Sequence, residues 1–255
     1  MTVVATVGTT HPLGFAGLAF AVLALADDAV RPVCVVAGVS AQDAAHVRVR
    51  HAIDAATIAA QFEALRDAQV AAFHVGALFS AAAVHAVADA LAGYPGVPVV
   101  VDPVLAAGGG DALADAATRD ALRAALFARA TVVTPNLDEA AAFLGRAIGS
   151  VDAMRDAAAA LRASSGAHAV LVKGGHLAGD PTDVLADERG TRSFTSARIA
   201  GTLRGTGDLL AATIAACLAR GTTLEDAIDY ARRRVAAAIE RGVAFAGTRV
   251  TSFER

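Results

Sequence analysis

The sequence contains few cysteines and no excess of positive charge. Cys34 and Cys217 are the only two cysteines among 255 residues, and they form no CxxC pair. This disfavours a disulfide framework or a zinc module. The 22 basic residues are outnumbered by 25 acidic ones, which leaves a net charge of −3. Without a basic field, nucleic-acid binding is a poor hypothesis, and we expect no nucleic-acid partner.

The first residues do not have the pattern of a signal peptide, and long apolar runs are few. Residues 1–8 include no basic residue and reach a glycine too early for a signal peptide. Apolar stretches such as residues 17–26 are shorter than a membrane span. We therefore expect a cytoplasmic protein that does not interact with a membrane.

The composition is that of a chain with a large core. Hydrophobic residues make up 55% of the sequence and charged residues 18%, which excludes global disorder. The length gives a prior of about 1.7 domains. Because single α/β domains of this length are common, we predict one domain over residues 1–255.

Short β-branched runs alternate with alanine-rich segments. The runs are continuously apolar, as in strands buried on both faces, and predict strands at 3–7, 32–37, 71–75, 97–102, 131–134 and 169–173. Polar residues that can begin a helix stand between them, at Asp54, Ser80, Asp111, Ser150 and Thr223. This alternation predicts an α/β fold, with a mostly parallel sheet covered by helices on both faces. Residues 183–185 and 192–195 suggest a hairpin, and 40–51 and 108–111 suggest mobile loops.

Two glycines precede a helical run in RGTGDLLAA, residues 204–212. The pattern predicts free backbone N–H groups at a helix N-terminus, which form a ready anion site. Asp208 falls in the first turn, where a carboxylate can take a proton from an alcohol that attacks a phosphoryl group. The alternative is that Asp208 only caps the helix.

Oxygen-bearing side chains follow two of the predicted strands. Asp102 ends one strand at the edge where open α/β sheets bind ligands, although an aspartate before Pro103 can also form a turn. Asn136 and Glu139 stand three residues apart at the start of a helix. Their oxygens suit a hydrated Mg²⁺, and the alternative is a helix cap formed by the same pair.

Lys173 is the only lysine among the 22 basic residues. It ends a predicted strand before Gly174 and Gly175, where its cation can reach a phosphate. The alternative is a solvated residue at a strand end. The absence of every other lysine weakens that alternative.

Several familiar motifs do not occur. Leu210 stands where GxGxxG requires a small residue, and there is no GxxxxGK[ST]. The seven histidines form no HExxH pair, and GxSxG is absent. The failed glycine fingerprint disfavours a Rossmann-type oxidoreductase in particular.

Taken together and in this order, the four segments resemble the ribokinase-like superfamily. Within it, they are most similar to the hydroxymethylpyrimidine/phosphomethylpyrimidine kinases of thiamin biosynthesis. The similarity covers nearly the whole chain. The matching stretches are DPV at 102–104, GDAL at 110–113, TPNL at 134–137 and VLVKGGHL at 170–177.

The resemblance implies a three-layer ribokinase-like sandwich. It also implies an ATP- and Mg²⁺-dependent kinase of a small hydroxymethyl heterocycle, commonly a homodimer. The implied catalytic anion hole comprises Gly205, Thr206, Gly207 and Asp208. The implied nucleotide contacts are Lys173, Gly174, Gly175, Asp102 and Asn136. The implied metal contacts are Asn136, Glu139 and Asp102, and the implied acceptor contacts are Gly8, Gln42 and Val104.

The chain departs from the family pattern on the acceptor side. Asp208 stands where these kinases have cysteine and where pyridoxal kinases have aspartate, so pyridoxal kinase activity is an alternative. The first loop, residues 8–17, is one residue longer than the pattern. Ala21 replaces an expected aspartate, and Ala77 replaces a methionine. We interpret this as complete phosphoryl-transfer machinery with an altered, more apolar acceptor pocket, and a non-catalytic ligand sensor is a further alternative.

Overall fold

A nine-stranded sheet forms the centre of the computed structural model, which describes residues 1–253. Its strands are β1 Val3–Thr10, β2 Arg31–Gln42, β3 Val47–Ala52, β4 Val70–Val75, β5 Val99–Val101, β6 Val132–Val133, β7 Val170–Val172, β8 Thr182–Asp187 and β9 Gly190–Thr195. Their order is β3-β2-β1-β4-β5-β6-β7-β8-β9. The strands from β2 to β7 in this order run parallel, and β3, β8 and β9 are antiparallel to their neighbours. A separate antiparallel pair consists of β10 Val243–Phe245 and β11 Thr248–Val250.

Helices cover both faces of the sheet. They are α1 Gly17–Asp27, α2 Ala55–Ala64, α3 Ala81–Leu91, α4 Ala116–Ala121, α5 Leu137–Leu144, α6 Val151–Ser165, α7 Thr206–Ala219 and α8 Leu224–Arg241. One apolar core includes buried residues of α2, α3, α5 and α6. The opposite core includes buried residues of α1, α7 and α8. The predicted mostly parallel sheet with helices on both faces is confirmed.

Helix α7 is enclosed by the fold. Every residue from Leu209 to Cys217 is buried, as expected for a helix that is apolar on all sides. It packs against α1, α8 and the strands β1, β4 and β5. Its N-terminus therefore has a fixed position at the carboxyl edge of the sheet.

Four of the five predicted helix starts are correct. In each, the capping side chain accepts a backbone N–H three residues ahead; the caps are Asp54, Ser80, Ser150 and Thr223. The predicted hairpin is also present, as β8 and β9.

The prediction that Asp111 begins a helix is wrong. The helix begins after Asp115, whose side chain accepts the Thr118 N–H. Asp111 instead accepts the Val47 N–H at 2.6 Å, and this contact takes up its capping oxygen. The contact crosses 64 positions of sequence, so local spacing does not reveal it.

Residues 40–51 form a hairpin rather than the predicted loop. Most of them belong to β2 and β3, which pair in an antiparallel arrangement. Helix α1 was not predicted, because its alanine-rich, uniformly apolar sequence has little helical periodicity. No helix within residues 1–253 is long and apolar enough to cross a membrane.

Candidate active site

An ion pair joins the carboxyl ends of β5 and β7. Lys173 Nζ lies 2.6 Å from Asp102 Oδ1, and Thr134 Oγ1 donates to the same oxygen at 2.9 Å. The Asp102 side chain is 2% exposed and that of Lys173 is 16% exposed. A carboxylate buried to this extent requires such partners, because a desolvated and unpaired charge is costly.

The N-terminus of α7 lies against this ion pair. Gly205 precedes the helix with a φ of 80°, and no side chain caps the first turn. A Cβ on Gly207 would lie 3.2 Å from Lys173 Nζ and 3.3 Å from Asp102 Oδ2. Uncapped N–H groups and a nearby ammonium are complementary to a phosphate. The glycines are what allow this close approach.

Asp208 lies in the same turn, and the residue as a whole is half-buried. A Cβ on Gly76 would lie 3.9 Å from its Oδ1, and the Gly17 N–H faces the carboxylate. Burial raises the pKa of Asp208 to about 6, and the negative charge of Asp102 adds to this rise. The Gly17 N–H and Lys173 lower the pKa and so oppose the rise. A carboxyl group with a pKa near neutrality suits a general base.

Asn136 and Glu139 form the helix cap that was the alternative to a metal site. Asn136 Oδ1 accepts the Glu139 N–H at 2.9 Å, and Glu139 Oε2 accepts the Asn136 N–H at 2.8 Å. Burial raises the pKa of Glu139 to about 7, Lys173 opposes this rise, and Asp102 adds to it. Glu139 therefore contributes to the electrostatics of the site while it caps α5.

A directly coordinating metal cage is not formed. Within residues 1–253, no three His, Cys, Asp or Glu side chains are grouped so as to hold a metal ion. Asp102 Oδ1 is occupied by Lys173 and Thr134, which leaves Oδ2 facing Gly207 in residues 204–208, here called the anion loop. This arrangement fits Mg²⁺ that keeps its waters and is held mainly by nucleotide phosphates. The metal roles of Asp102, Asn136 and Glu139 remain predictions.

A cavity of about 510 Å³ opens beside the start of α7. Its size is within the usual range of ligand pockets. Five predicted site residues line it, namely Asn136, Lys173, Gly175, Thr206 and Gly207. Gly174 is buried and is not among the residues that line the cavity; its N–H donates to Asp183 Oδ1 at 2.8 Å, and a Cβ would lie 2.0 Å from the Thr182 carbonyl oxygen.

The predicted acceptor residues lie around a small apolar cluster. A Cβ on Gly8 would lie 3.7 Å from the Ala77 carbonyl oxygen, and Val104 packs against the cluster to which Ala77 belongs. Gln42 ends β2 opposite Val47, which packs against the same cluster. The structure thus brings Gly8 and Val104 close to Ala77. Gln42 is connected to this cluster only through Val47, its partner in the strand pair.

The sequence reasoning missed three residues near Asp208. The Gly17 N–H faces Asp208, and His74 is buried on β4, where its Nδ1 lies 2.9 Å from Thr6 Oγ1. Burial lowers the pKa of His74 to about 4, despite the raising effect of Asp102. Arg204 Nη2 donates to the Ala44 carbonyl at 2.9 Å, which ties the anion loop to the turn between β2 and β3. These contacts join distant parts of the chain, so no local motif indicates them.

We expect Gly205→Ala to destabilise the protein and abolish most of its activity. The added Cβ would meet the Phe15 carbonyl oxygen at 2.5 Å, in a backbone conformation that already disfavours alanine. Gly221→Ala is the matched control, since Gly221 has the same φ of 80° but nothing within 4 Å of a Cβ. Thermal unfolding and phosphoryl-transfer rates of both variants separate backbone strain from the clash. Equal effects in the two would show that the anion loop tolerates a side chain.

Several known proteins are similar to this chain in sequence or in fold. A family model described as phosphomethylpyrimidine kinase matches residues 12–251. The hydroxymethylpyrimidine/phosphomethylpyrimidine kinase of Rhizobium meliloti is 40% identical over 210 residues, covering 80% of this chain and 78% of that protein. A bifunctional thiamine biosynthesis protein of Geobacter sulfurreducens is 40% identical over 208 residues, which are 80% of this chain and 42% of that protein. A pyridoxal kinase of Bacillus subtilis, solved as an ADP complex, has a TM-score of 0.90 at 28% identity, covering 99% of this chain and 97% of that one.

These similarities show both the family and the fold. The family match spans all of the candidate site except Gly8. The ribokinase-like architecture predicted from the sequence is confirmed by the structural similarity, and the predicted class of enzyme, a kinase, is confirmed by the family. From the extent of the match, we conclude that the chain belongs to the phosphomethylpyrimidine kinase family.

Proposed function

We propose that the protein transfers the γ-phosphoryl group of ATP to the hydroxymethyl group of 4-amino-5-hydroxymethyl-2-methylpyrimidine. The observation that carries this proposal is the Asp208 carboxyl group, with its raised pKa, in the uncapped first turn of α7 beside Lys173 and Asp102. The name of the Rhizobium meliloti relative supports the choice of acceptor.

In the proposed reaction, Asp208 takes the proton of the acceptor hydroxyl. The alcohol oxygen bonds to the γ-phosphorus as the bond from phosphorus to the bridging oxygen of ADP breaks, so ADP leaves with that electron pair. The N–H groups of the first turn of α7 and the Lys173 ammonium face the transferred group and stabilise its negative charge. The acceptor side, around Gly8 and Val104, orients the hydroxymethyl group toward Asp208.

We propose that Asp102, Asn136 and Glu139 hold Mg²⁺ through water. Bound with the nucleotide, Mg²⁺ supplies positive charge that neutralises the phosphates. Asp102 also fixes Lys173 in place, which keeps the ammonium beside Gly207.

Asp208 should favour the alcohol over a phosphate-bearing acceptor. A phosphate monoester needs no base, and its charge is repelled by the carboxylate. At about 4 Å and an effective dielectric constant of about 20, the repulsion is roughly 4 kcal/mol before screening. We therefore propose that a second transfer, onto the pyrimidine monophosphate, is slower by at least about 10-fold.

An acceptor screen tests the proposed function. ADP release is measured with hydroxymethylpyrimidine, its monophosphate, pyridoxal, pyridoxine and hydroxyethylthiazole, and we expect the highest kcat/KM with hydroxymethylpyrimidine. A preference for pyridoxal or pyridoxine would instead support pyridoxal kinase activity, which Asp208 and the similarity to the Bacillus subtilis enzyme favour. If no acceptor stimulates ADP release, the protein is a non-catalytic relative. If kcat/KM were the same for the monophosphate and the alcohol, the proposed repulsion by the Asp208 carboxylate would be refuted.

We expect the rate to fall as the pH is lowered through about 6. Asp208 can accept a proton only when it is ionised, and its pKa is raised from 3.8 to about 6. Below that value, kcat/KM for the acceptor should fall about 10-fold per pH unit, and above it the rate should level off. Asp208→Asn is the control, because its residual rate should not fall in this pH range. If kcat/KM of the wild type fell only near pH 4, Asp208 would titrate as an ordinary aspartate.

We further propose a homodimer located in the cytoplasm. A cytoplasmic location fits an enzyme that consumes ATP. The edge strand β3 and its neighbour β2 leave the apolar side chains of Val49 and Val39 exposed, at 63% and 43%, which supports a contact with a second copy. The sedimentation coefficient of the purified protein tests the oligomeric state.

A further inference from the structure

The turn between β2 and β3 is docked against a glycine-rich loop. Val47, just after the turn, donates its N–H to Asp111 Oδ2 at 2.6 Å. A Cβ on Gly109 would overlap the Ala45 carbonyl oxygen, so the two backbones touch at a point where a side chain would not fit. The two segments, which the sequence suggested as separate mobile loops, are thus joined to each other. We call them together the cover, which comprises residues 43–47 and 107–111.

The cover lies on the acceptor side of the candidate site. Val47 and Ala107, one from each part of the cover, pack against the apolar cluster that contains Ala77. Val104 packs against the same cluster, and Gly8 lies beside Ala77. The cover therefore borders the region in which the proposed function places the hydroxymethyl group.

Arg204, the first residue of the anion loop, reaches both parts of the cover. Its Nη2 donates to the Ala44 carbonyl oxygen at 2.9 Å, and its Nη1 lies against Gly108, where a Cβ would overlap it. The backbone N–H of Arg204 donates to the Arg249 carbonyl oxygen at 3.0 Å, and the chain then leads directly into Gly205 at the start of α7. One half-buried side chain therefore fixes the cover relative to the turn that faces the transferred phosphoryl group.

Such a link has a chemical consequence, because water competes with the alcohol for the phosphoryl group. A water molecule in the place of the acceptor would bond to the γ-phosphorus and give a proton to Asp208. ADP would leave with the electron pair of its bridging oxygen, and the second product would be inorganic phosphate. Closing loops over a site excludes water and so suppresses this side reaction.

We propose that Arg204 is a positioning residue that holds the cover against the anion loop and so directs the phosphoryl group to the alcohol rather than to water. This inference rests on the proposed function. Arg204 acts through the two loops that it contacts. Gly108 and Gly109 support the same conclusion, since each permits a close approach that a side chain would block, one to the guanidinium group and one to the Ala45 carbonyl oxygen.

Arg204→Met tests the proposal, because it keeps a long side chain but removes the donors. With ATP and hydroxymethylpyrimidine at saturation, the phosphorylated acceptor and inorganic phosphate are measured separately. We expect the fraction of ATP transferred to water to rise at least about 5-fold, with the Kd for ADP within about 2-fold of wild type. Amide hydrogen exchange should become faster in residues 43–47 and 107–111 but not in α7. Arg204→Lys, which keeps a donor on a long side chain, should regain part of the lost coupling.

The chain offers matched controls for the arginine and for the glycine contact. Arg162 is also half-buried and donates to a carbonyl oxygen, that of His168, at 2.9 Å, but at the other end of β7. Arg162→Met should leave the fraction transferred to water unchanged. Gly109→Ala, which forces a Cβ against the Ala45 carbonyl oxygen, should raise that fraction without altering Arg204. Gly149→Ala, whose Cβ would meet nothing within 4 Å, should not raise it.

The results distinguish a failure of this inference from a failure of the proposed function. If the wild type phosphorylates hydroxymethylpyrimidine and Arg204→Met transfers no more phosphoryl groups to water, the inference is wrong, even if hydrogen exchange in the cover is faster. Unchanged exchange in the cover would also overturn it, because the guanidinium group would then not hold the two loops. If the wild type phosphorylates no acceptor, the proposed function fails and the inference falls with it.

Discussion

Asp208→Ala is expected to lower kcat by about 10²- to 10⁴-fold, the range typical of a lost general base. The nucleotide Kd should change little, because the backbone N–H groups of the α7 turn and the Lys173 ammonium remain. The loss arises because alanine offers no group that can accept the proton of the acceptor hydroxyl. Single-turnover rates with radiolabelled ATP, together with ADP titrations, measure the two quantities separately.

A matched variant separates this role from helix capping. Asp226 occupies the same position in the first turn of α8 as Asp208 does in α7, but it lies on the surface and pairs with Thr223 Oγ1 at 2.7 Å. Asp226→Ala should reduce stability slightly and leave kcat unchanged. A mild loss of rate in Asp208→Ala, similar to that in Asp226→Ala, would mean that Asp208 serves only the helix.

Lys173→Met is expected to destabilise the protein by about 3–5 kcal/mol and to weaken ADP binding. The substitution leaves Asp102 buried without its cation, close to Glu139 and Asp208. Burial alone would lower the pKa of Lys173, but the carboxylates of Asp102 and Glu139 outweigh burial and raise it. The amine therefore stays charged across the physiological range. Urea unfolding measures the change in stability, and calorimetry measures the change in Kd.

Two further variants identify the cause of the instability. Lys173→Met combined with Asp102→Asn should recover much of the stability, because the uncompensated charge is gone, but not the affinity for ADP. Lys173→Arg should bind ADP poorly although it keeps the charge, because a Cβ on Gly207 would already lie 3.2 Å from Nζ and a guanidinium group is larger. Full stability in the single variant would show that the ion pair contributes nothing to folding.

Sequence reasoning predicted the parts of the fold that depend on local patterns. The buried valine runs identified the central strands, and the caps at Asp54 and Ser80 identified helix starts, because both signals act within a few residues. The prediction failed at Asp111, where the capping oxygen is taken by a hairpin 64 positions away. It also failed at α1, which is held by packing against α7 rather than by an amphipathic pattern.

The candidate site shows the same division. Lys173, Asp102 and Gly207 were predicted from separate motifs, and they meet because the carboxyl ends of β5 and β7 lie at one edge of the sheet. The contacts of Gly17 with Asp208 and of Arg204 with Ala44 were not predicted, since they depend on how loops pack across the edge. Glu139 both caps α5 and interacts electrostatically with the ion pair. The second role could not be predicted from the sequence, because it depends on the burial of the side chain.

Because the chain has a single lysine, chemical labelling of its amines reports on the candidate site. Apart from the α-amino group of the exposed Met1, the Lys173 side chain is the single primary amine that acylating reagents can modify. Intact-mass spectra after such labelling can therefore contain at most two adducts. Growth of the second adduct requires that the reagent reach Lys173 and that the ammonium lose its proton, so the labelling rate depends both on access to the site and on the ion pair with Asp102.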